Sequence, residues 1–212
     1  GNSIRENPKF TKLSSIGTSD MHIALSGGHG VLGNYQGTRW DELSKVNITK
    51  FWEKHGRRRA GCFNCPVQCM EYFSVPELGH SISSCALYID PTLGLQNSDL
   101  RLWYELNCQF QRYGLDPTST VGMIAWATEL YAEGIINQKD TDGVSLVPGS
   151  RDATVGMVEK IAKREGFGEL LAAGSDAATE KIGRNSDYYM MQVKKMPLVH
   201  TNRQNNRGGA IA

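Results

Sequence analysis

The sequence predicts a mainly α-helical, multihelical fold. From residue 98 onward, apolar residues recur at helical spacing, and most of these runs begin at a Ser, Thr, Asp or Pro start signal and stop at a glycine. Strand-like alternation is scarce, and no segment repeats in tandem. With 212 residues, 40% of them hydrophobic, the chain can bury the core of one domain or of two small ones.

The first half of the chain contains irregular segments as well as helices. Residues 6–28 read as helical segments broken by glycine, and residues 27–40 are glycine-rich and irregular. Asp41 begins a helix that we expect to stop at Gly56.

The second half is dominated by helical patterns separated by short breaks. We expect a break near Gly174, a polar loop at residues 138–150, and Cys108 on the apolar side of its helix. The predicted helical segments are 98–114, 117–136, 154–166 and 167–183.

Composition and charge exclude several classes of function. The 23 basic and 22 acidic residues give no basic excess for nucleic acid. No apolar run reaches the roughly 18 residues of a membrane-spanning helix, and the N-terminal ten residues lack the apolar centre of a signal peptide. Five cysteines, an odd number, do not resemble a disulfide framework. We therefore expect reduced thiols in a cytoplasmic, anaerobic setting.

Three of the cysteines form the strongest motif in the chain. Cys62, Cys65 and Cys69 have the spacing C-x2-C-x3-C, which lets several thiolates of one loop converge on an iron–sulfur core. A standard [4Fe–4S] cluster needs a fourth ligand that is missing locally. Zinc is the competing metal, and three merely buried or solvated cysteines are the structural alternative. The basic run 57–59 would place positive charge beside an anionic cluster.

Four segments in order resemble the aldehyde ferredoxin oxidoreductase family, tungsten enzymes with two pterin cofactors. The cysteine segment AGCFNCPVQCMEYF looks like the family's cluster loop, and GTSDMHIALSGGHGVLGNYQG lies upstream of it. The segment from LGLQNSDL to ELYAEGII resembles the family stretch with Y-G-L-D and A-x-E-L-Y. QVKKMPLVHTNRQNNRGGAIA resembles the segment that follows. The resemblance covers nearly the whole chain.

The resemblance implies that this sequence is the middle, helical part of a longer catalytic chain. Residues 1–60 would be a helical lead-in with a glycine-rich loop. Residues 61–212 would be a helical domain with the cluster-binding loop at 61–70 and a pterin motif at 111–116. The family's N-terminal sheet domain and C-terminal domain would be absent. The fourth cluster cysteine would then lie in the C-terminal domain, in a D-x-x-G-L-C motif.

The pterin motif of the family is D-x-x-G-L-D, and here it reads Gln111-Arg112-Tyr113-Gly114-Leu115-Asp116. Asp116 matches, and a carboxylate can accept two parallel N–H bonds from the edge of a pterin. Gln111 replaces an aspartate and carries no charge. From residue types alone, Asp116 is first a helix N-cap before Pro117, and it could serve both roles.

The segment after the cluster loop contains Glu77, His80 and Cys85, where aldehyde-oxidising members tend to read P-E-Y-E. A carboxyl, an imidazole and a thiol within nine residues could supply a proton donor, a proton relay and a soft metal ligand. By default His80 is a surface residue and Cys85 a small core residue. The segment is more similar to the tungsten-dependent benzoyl-coenzyme A reductase branch. That resemblance implies Cys85 on tungsten, with Glu77 and His80 near the aromatic ring.

The expected function is therefore reduction of an aromatic acyl-coenzyme A by a tungsten–bispterin, [4Fe–4S] oxidoreductase. The expected partners are a ferredoxin or an iron–sulfur subunit and a small-molecule or acyl-coenzyme A substrate, with no nucleic acid and no membrane span. The alternative in the same class is an aldehyde:ferredoxin oxidoreductase. Alternatives from other classes are an electron-transfer module without pterin and a zinc-stabilised domain.

Overall fold

Helices account for most of the structure, as the sequence predicts. The computed structural model describes residue 3 and residues 6–17, 31–37, 39–83 and 90–198. The α-helices are α1 Pro8–Ile16, α2 Ile48–His55, α3 Leu100–Tyr113, α4 Pro117–Ala132, α5 Arg151–Lys163, α6 Phe167–Ala172 and α7 Ser175–Ile182. Short 3-10 helices cover Asp41–Lys45 and Ser186–Tyr189, and a π-helical turn covers Asp90–Gly94.

The long helices begin and end where local chemistry places them. Asp99 caps α3 by accepting a hydrogen bond from the Arg101 N–H, and the left-handed Gly114 ends it. Ser150 caps α5, which ends at Arg164 in the left-handed region, two residues before the glycine expected to stop it. The break near Gly174 and the turns at 138–150 are also as expected.

The larger hydrophobic core lies among α3 to α7. Trp126 of α4 is completely buried, and its indole N–H donates to Ser186 O at 3.1 Å. Apolar side chains from four other helices complete this core, which explains why the apolar periodicity of the second half is so clear. They include Leu106, Phe110, Met157, Val158, Phe167, Leu171 and Ala178.

A three-stranded antiparallel sheet is the main feature that the sequence did not predict. Its strands are β1 Gly56–Ala60, β2 Met70–Val75 and β3 Gly79–Ser83, in the order β1-β2-β3. The inward-facing residues of β2 are Glu71, Phe73 and Val75. With a glutamate inside β2 and three arginines in β1, the strands lack an apolar alternation to recognise. A smaller pair, β4 Gln192–Val193 and β5 Met196–Pro197, lies near the end of the described chain.

The helix expected over residues 41–56 is divided in two. The 3-10 helix ends at Lys45, and Asn47 then caps α2 by accepting a hydrogen bond from the Lys50 N–H. An asparagine that can satisfy a backbone donor starts a new helix more readily than it continues an old one.

A second, aromatic core joins the sheet to the helices. Phe51 of α2 lies 5.7 Å from Phe73 of β2 and 5.5 Å from Trp103 of α3, measured between ring centroids. Tyr104 is completely buried in the same cluster. The sheet is therefore fixed against α3, the helix that also leads into residues 111–116. No helix in the described ranges is long and apolar enough to cross a membrane.

One buried ion pair connects the sheet to both helices that precede it. Arg59 Nη1 lies 2.5 Å from Glu71 Oε1, and the Glu71 side chain is completely buried. Arg59 Nη2 donates to Ser15 O of α1 at 2.5 Å, and the guanidinium lies 4.2 Å from the Trp52 ring of α2. A side chain at Gly17 would collide with Arg59 and Glu71. The end of α1 can therefore lie this close to the ion pair only because residue 17 is a glycine.

We predict that Glu71→Ala lowers the free energy of unfolding by about 3 to 5 kcal/mol, because Arg59 would remain largely buried without its counter-ion. Urea unfolding followed by circular dichroism measures this loss. The matched control is Glu77→Ala, which breaks the exposed Glu77–Arg101 pair and should cost about 0 to 1 kcal/mol. Equal losses in the two variants would contradict the central role of the buried pair.

His55 gives the fold a predictable pH dependence. It is buried at the end of α2, and this burial is the main reason why the pKa of its imidazole is lowered. The positive charges of Lys54, Arg101 and Arg57 lower the pKa further. The unfolded chain therefore binds a proton at His55 at a higher pH than the folded chain. Stability should fall as the pH drops through about 6.5, the ordinary histidine value. In His55→Gln this loss between pH 7.5 and pH 5.5 should be smaller, and identical pH profiles of unfolding would contradict the assignment.

Candidate functional site

The three clustered cysteines lie on the loop that joins β1 to β2. The Cys65 N–H donates to Cys62 O at 3.0 Å, which forms a tight turn in the loop. Asn64 and Gln68 have positive φ values of 55° and 49°. At its base the loop closes so tightly that a Cβ on Gly61 would lie 2.9 Å from the Gln68 Cα. The three cysteines therefore lie together on one short, closed loop.

The local backbone favours a thiolate at the centre of this loop. Hydrogen bonds from the backbone at Gln68 and then Val67 lower the pKa of the Cys65 thiol below its ordinary value. Cys62 is exposed, whereas Cys65 and Cys69 are half-buried. Ser14 of α1 donates to Val67 O at 2.6 Å and so attaches the loop to the helix beside it.

The donor set of the loop fits an iron–sulfur cluster in its chemistry. Thiolates are the ligands that such clusters use, and backbone hydrogen bonds to sulfur tune them. Among the residues that the structure describes, no three His, Cys, Asp or Glu side chains are arranged to hold a metal ion. Cys62, Cys65 and Cys69 share a loop but are not gathered around one point, and Cys85 lies outside the described residues.

Glu77 and His80 lie at the tip of the β2–β3 hairpin. Glu77 occupies the turn with a φ of 67°, and its carboxylate lies 3.0 Å from Arg101 of α3. His80 stacks on Tyr72 with a centroid distance of 5.9 Å and an interplanar angle of 9°. Arg58 also contacts the Tyr72 ring, at 5.1 Å from its centroid. Both candidate proton donors are exposed, and Tyr72 fixes the plane of the His80 ring.

Residues 111–116 comprise the last three residues of α3 and the short connection to α4. Gly114 has a φ of 67°, and the Leu115 N–H donates to Phe110 O at 2.8 Å, which ends α3. Asp116 is the N-cap of α4, since its Oδ2 accepts a hydrogen bond from the Ser119 N–H at 2.7 Å. The capping role expected for Asp116 is confirmed. Gln111 donates from its side-chain amide to Ile82 O of β3.

Helix α3 brings the hairpin and this connection together. Tyr104 donates to Gly79 O at 2.9 Å, and Gln111 holds Ile82 seven residues later on the same face. Between them, the Cys108 thiol takes part in hydrogen bonds with the side chains of Ser81 and Tyr104. Burial raises the pKa of this thiol. Cys108 packs against the aromatic core, as expected. The strand with His80 therefore runs along the helix that leads to Asp116.

Asn107 is a candidate that the sequence did not reveal. Its side chain is completely buried, yet neither amide atom has a hydrogen-bond partner. An unsatisfied buried polar group costs about 1 to 3 kcal/mol, so Asn107 is a costly feature of the core. Asn107 lies one helical turn before Gln111, and only its burial distinguishes it from an ordinary surface asparagine.

An open pocket of about 480 Å³ lies beside the motif. Leu115 and Asp116 line it, together with Ser119 and two basic residues, Arg164 and Lys195. Both basic groups are paired, Arg164 with Glu169 and Lys195 with Asp176. No pattern in the sequence indicates that the distant residues 164 and 195 meet the motif here.

These features define a mainly helical domain that carries three thiols on one short loop and a polar segment at the end of α3. The chain belongs to the aldehyde ferredoxin oxidoreductase family, because the family model described as aldehyde ferredoxin oxidoreductase, domains 2 and 3, matches residues 1–212. The family resemblance inferred from the sequence is confirmed.

Individual relatives agree with the family assignment. A tungsten-containing aldehyde ferredoxin oxidoreductase of Pyrococcus horikoshii is 35% identical over 147 residues, covering 66% of this chain and 24% of the relative. A Pyrococcus furiosus protein described as an aliphatic sulfonate oxidoreductase, WOR-like subunit, is 30% identical over 155 residues, covering 67% of this chain and 23% of the relative. The chain thus spans about a quarter of the length of these proteins.

A solved structure shares the fold. The active site complex BamBC of benzoyl-coenzyme A reductase, in complex with 1,5-dienoyl-CoA, matches with a TM-score of 0.74 and 27% identity. The match covers 85% of this chain and 28% of the other. The names of the relatives describe several chemistries, so family membership alone does not determine the substrate.

Proposed function

We propose that this chain is the helical part of a tungsten–bispterin oxidoreductase that reduces an aromatic acyl-coenzyme A to a cyclic dienoyl-coenzyme A. The observation that carries the proposal is the placement of Glu77 and His80 on the β2–β3 hairpin, whose second strand, β3, runs along α3 toward Asp116. Proton donors and cofactor contacts would thereby share one rigid support. The fold match to a complex named for benzoyl-coenzyme A reductase supports this substrate class.

Each part of the chain would have a separate task. Cys62, Cys65 and Cys69 would hold three irons of a [4Fe–4S] cluster, and Cys85 would be a thiolate ligand of tungsten. When bound, the cluster supplies single electrons and the tungsten–pterin group supplies low-potential redox chemistry.

The pterin would be held at the end of α3. Asp116 has a second carboxylate oxygen besides the one that caps α4, and it would accept N–H bonds from the pterin edge. Gln111 would contribute polar contact, while Gly114 and Leu115 would shape the backbone.

Dearomatising a ring requires a proton with each electron, and His80 is the better placed donor. The stack on Tyr72 leaves both imidazole nitrogens at the edge of the ring pair, where a substrate could meet them. Glu77 would have to leave its ion pair with Arg101 to donate a proton. We therefore assign His80 the proton-donating role and Glu77 a relay role.

The second candidate function is aldehyde oxidation with a ferredoxin as electron acceptor. It is favoured by the 35% identity to an aldehyde ferredoxin oxidoreductase. It would use the same cluster loop and the same motif, with Glu77 and His80 taking up protons instead of delivering them.

The full-length protein, purified without oxygen, should contain iron and tungsten and should reduce benzoyl-coenzyme A. Elemental analysis and turnover assays with benzoyl-coenzyme A and simple aldehydes provide the measurement. His80→Gln should lower turnover by about 100-fold with unchanged metal content, because a general acid contributes on that scale. Turnover of aldehydes alone would refute the acyl-coenzyme A proposal. Iron without tungsten would favour an electron-transfer module, and one zinc per chain without iron would favour a structural zinc domain.

Two substitutions separate the capping role of Asp116 from its proposed pterin contact. Asp116→Ala should lose both the cap, worth about 1 kcal/mol of unfolding free energy, and the pterin. Asp116→Ser should keep the cap, because serine is also a good N-cap residue, but should release pterin as completely as the alanine variant. Thermal unfolding and pterin content of the purified full-length variants measure the two effects. Full pterin content in Asp116→Ser would assign the residue to capping alone.

A further inference from the structure

Ser14 of α1 uses its hydroxyl group outside its own helix. A serine or threonine within a helix commonly donates to the carbonyl oxygen four residues earlier, as Thr11 of the same helix does to Asn7 O at 3.1 Å. The half-buried Ser14 hydroxyl instead donates to Val67 O of the cysteine loop, at 2.6 Å and across 53 positions of sequence. This bond connects a helix that contains no cysteine directly to the backbone that surrounds the thiols.

The carbonyl that accepts this bond belongs to the same planar peptide group as the Gln68 N–H. That N–H donates a hydrogen bond to the Cys65 sulfur, and the Val67 N–H does so as well. Two successive backbone N–H groups directed at one anion are typical of the concavities that bind phosphates and iron–sulfur groups. Ser14 and the Cys65 sulfur therefore contact opposite sides of one rigid peptide group.

The buried ion pair holds Ser14 in this position. Arg59, which is paired with Glu71, donates to the carbonyl oxygen of the next residue, Ser15, at 2.5 Å. At Gly17 the chain passes so close to the pair that a Cβ atom there would collide with both of its side chains. The last turn of α1 is thus attached to the sheet at Ser15 and to the cysteine loop at Ser14. Its hydroxyl group is consequently held in place by contacts that do not involve the loop.

We propose that Ser14 is a positioning residue that directs the Gln68 N–H at the Cys65 sulfur and thereby raises the reduction potential of the cluster. The inference rests on the proposed function of the loop as an iron–sulfur site. Reduction adds one electron, and an N–H donor to a ligating sulfur stabilises the more negative, reduced form. A hydrogen bond accepted by the carbonyl also polarises the peptide group, which strengthens its N–H as a donor. No bond between iron and Cys65 forms or breaks in this step.

The test measures the midpoint potential of the cluster in the full-length, metal-loaded protein, by stepwise reduction with dithionite followed by electron paramagnetic resonance. In Ser14→Ala the equilibrium constant for one-electron reduction should fall by about 3- to 10-fold, the effect of weakening or losing one hydrogen bond. At about 59 mV per tenfold change, the potential should become more negative by about 30 to 60 mV. The iron content should not change, because the three thiolates are untouched. Ser14→Thr keeps a hydroxyl group and should restore the wild-type potential.

The matched control is Ser44→Ala, which removes a hydroxyl group that donates to a backbone carbonyl within its own 3-10 helix, Asp41 O at 2.7 Å. It should leave the potential unchanged. A wild-type potential in iron-loaded Ser14→Ala would overturn this inference and leave the cluster site itself intact. Loss of iron from Ser14→Ala would also overturn it, because Ser14 would then be needed to build the site instead of tuning it. A wild-type protein without iron would refute the proposed function of the loop and this inference together.

Discussion

The ion pair between Arg59 and Glu71 is the constraint on which the arrangement of the candidate site depends. A carboxylate that is completely buried in the middle of a strand can exist only with a cation held against it. Arg59 supplies that charge, donates a second hydrogen bond to Ser15 O, and places its guanidinium over the Trp52 ring. The pair thus fixes β1 to β2 next to the cysteine loop and fixes α1 and α2 around the same hairpin. The interaction forms only when β1, β2, α1 and α2 are all correctly placed. It therefore disfavours other packings of the sheet against these two helices.

Helix α3 is the second organising element, and it acts through hydrogen bonds and aromatic contacts instead of an ion pair. Two of its side chains, the buried Tyr104 and the exposed Gln111, donate hydrogen bonds to the backbone of β3, one near each end of the strand. The aromatic contacts among Phe51, Phe73 and Trp103 hold the sheet against the helix at its centre. The hairpin tip and the connection at residues 111–116 therefore cannot move independently. A catalytic site assembled from both would inherit this rigidity, which is what proton transfer and cofactor binding require.

The site combines satisfied and unsatisfied groups in a way that indicates function. Arg59 and Glu71, which are structural, are closely paired, and so are the basic residues that line the pocket beside Asp116. Asn107 is buried without partners, and Phe63 is exposed without a covering side chain. The buried amide without partners is the costly exception, whereas a single exposed aromatic ring is common on protein surfaces. Asn107 lies one helical turn before the predicted pterin motif, and Phe63 lies within the predicted cluster loop.

The sequence by itself determined the helices of the second half, their caps and the grouping of three cysteines on one short loop. These features depend on local rules: apolar spacing, the preference of Asp and Ser for helix starts, and the proximity of residues close in sequence. The four segments that resemble the family can likewise be recognised from the sequence alone. The roles assigned to Glu77, His80, Cys85 and the pterin motif stay predictions, since they concern groups that bind from outside the chain.

Tertiary structure alone decided the sheet, the burial of Glu71 and Asn107, and the exposure of Phe63. None of these has a local cause. Glu71 faces inward because Arg59 and the ends of two helices meet it there, and the strand around it consequently lacks the apolar alternation that would reveal it. Asn107 sits among the periodic residues of an amphipathic helix, where only three-dimensional packing distinguishes a buried amide from an exposed one. The cysteine spacing was visible in the sequence, but only folding turns Glu71 inward and leaves Arg57 and Arg58 of the same sheet exposed.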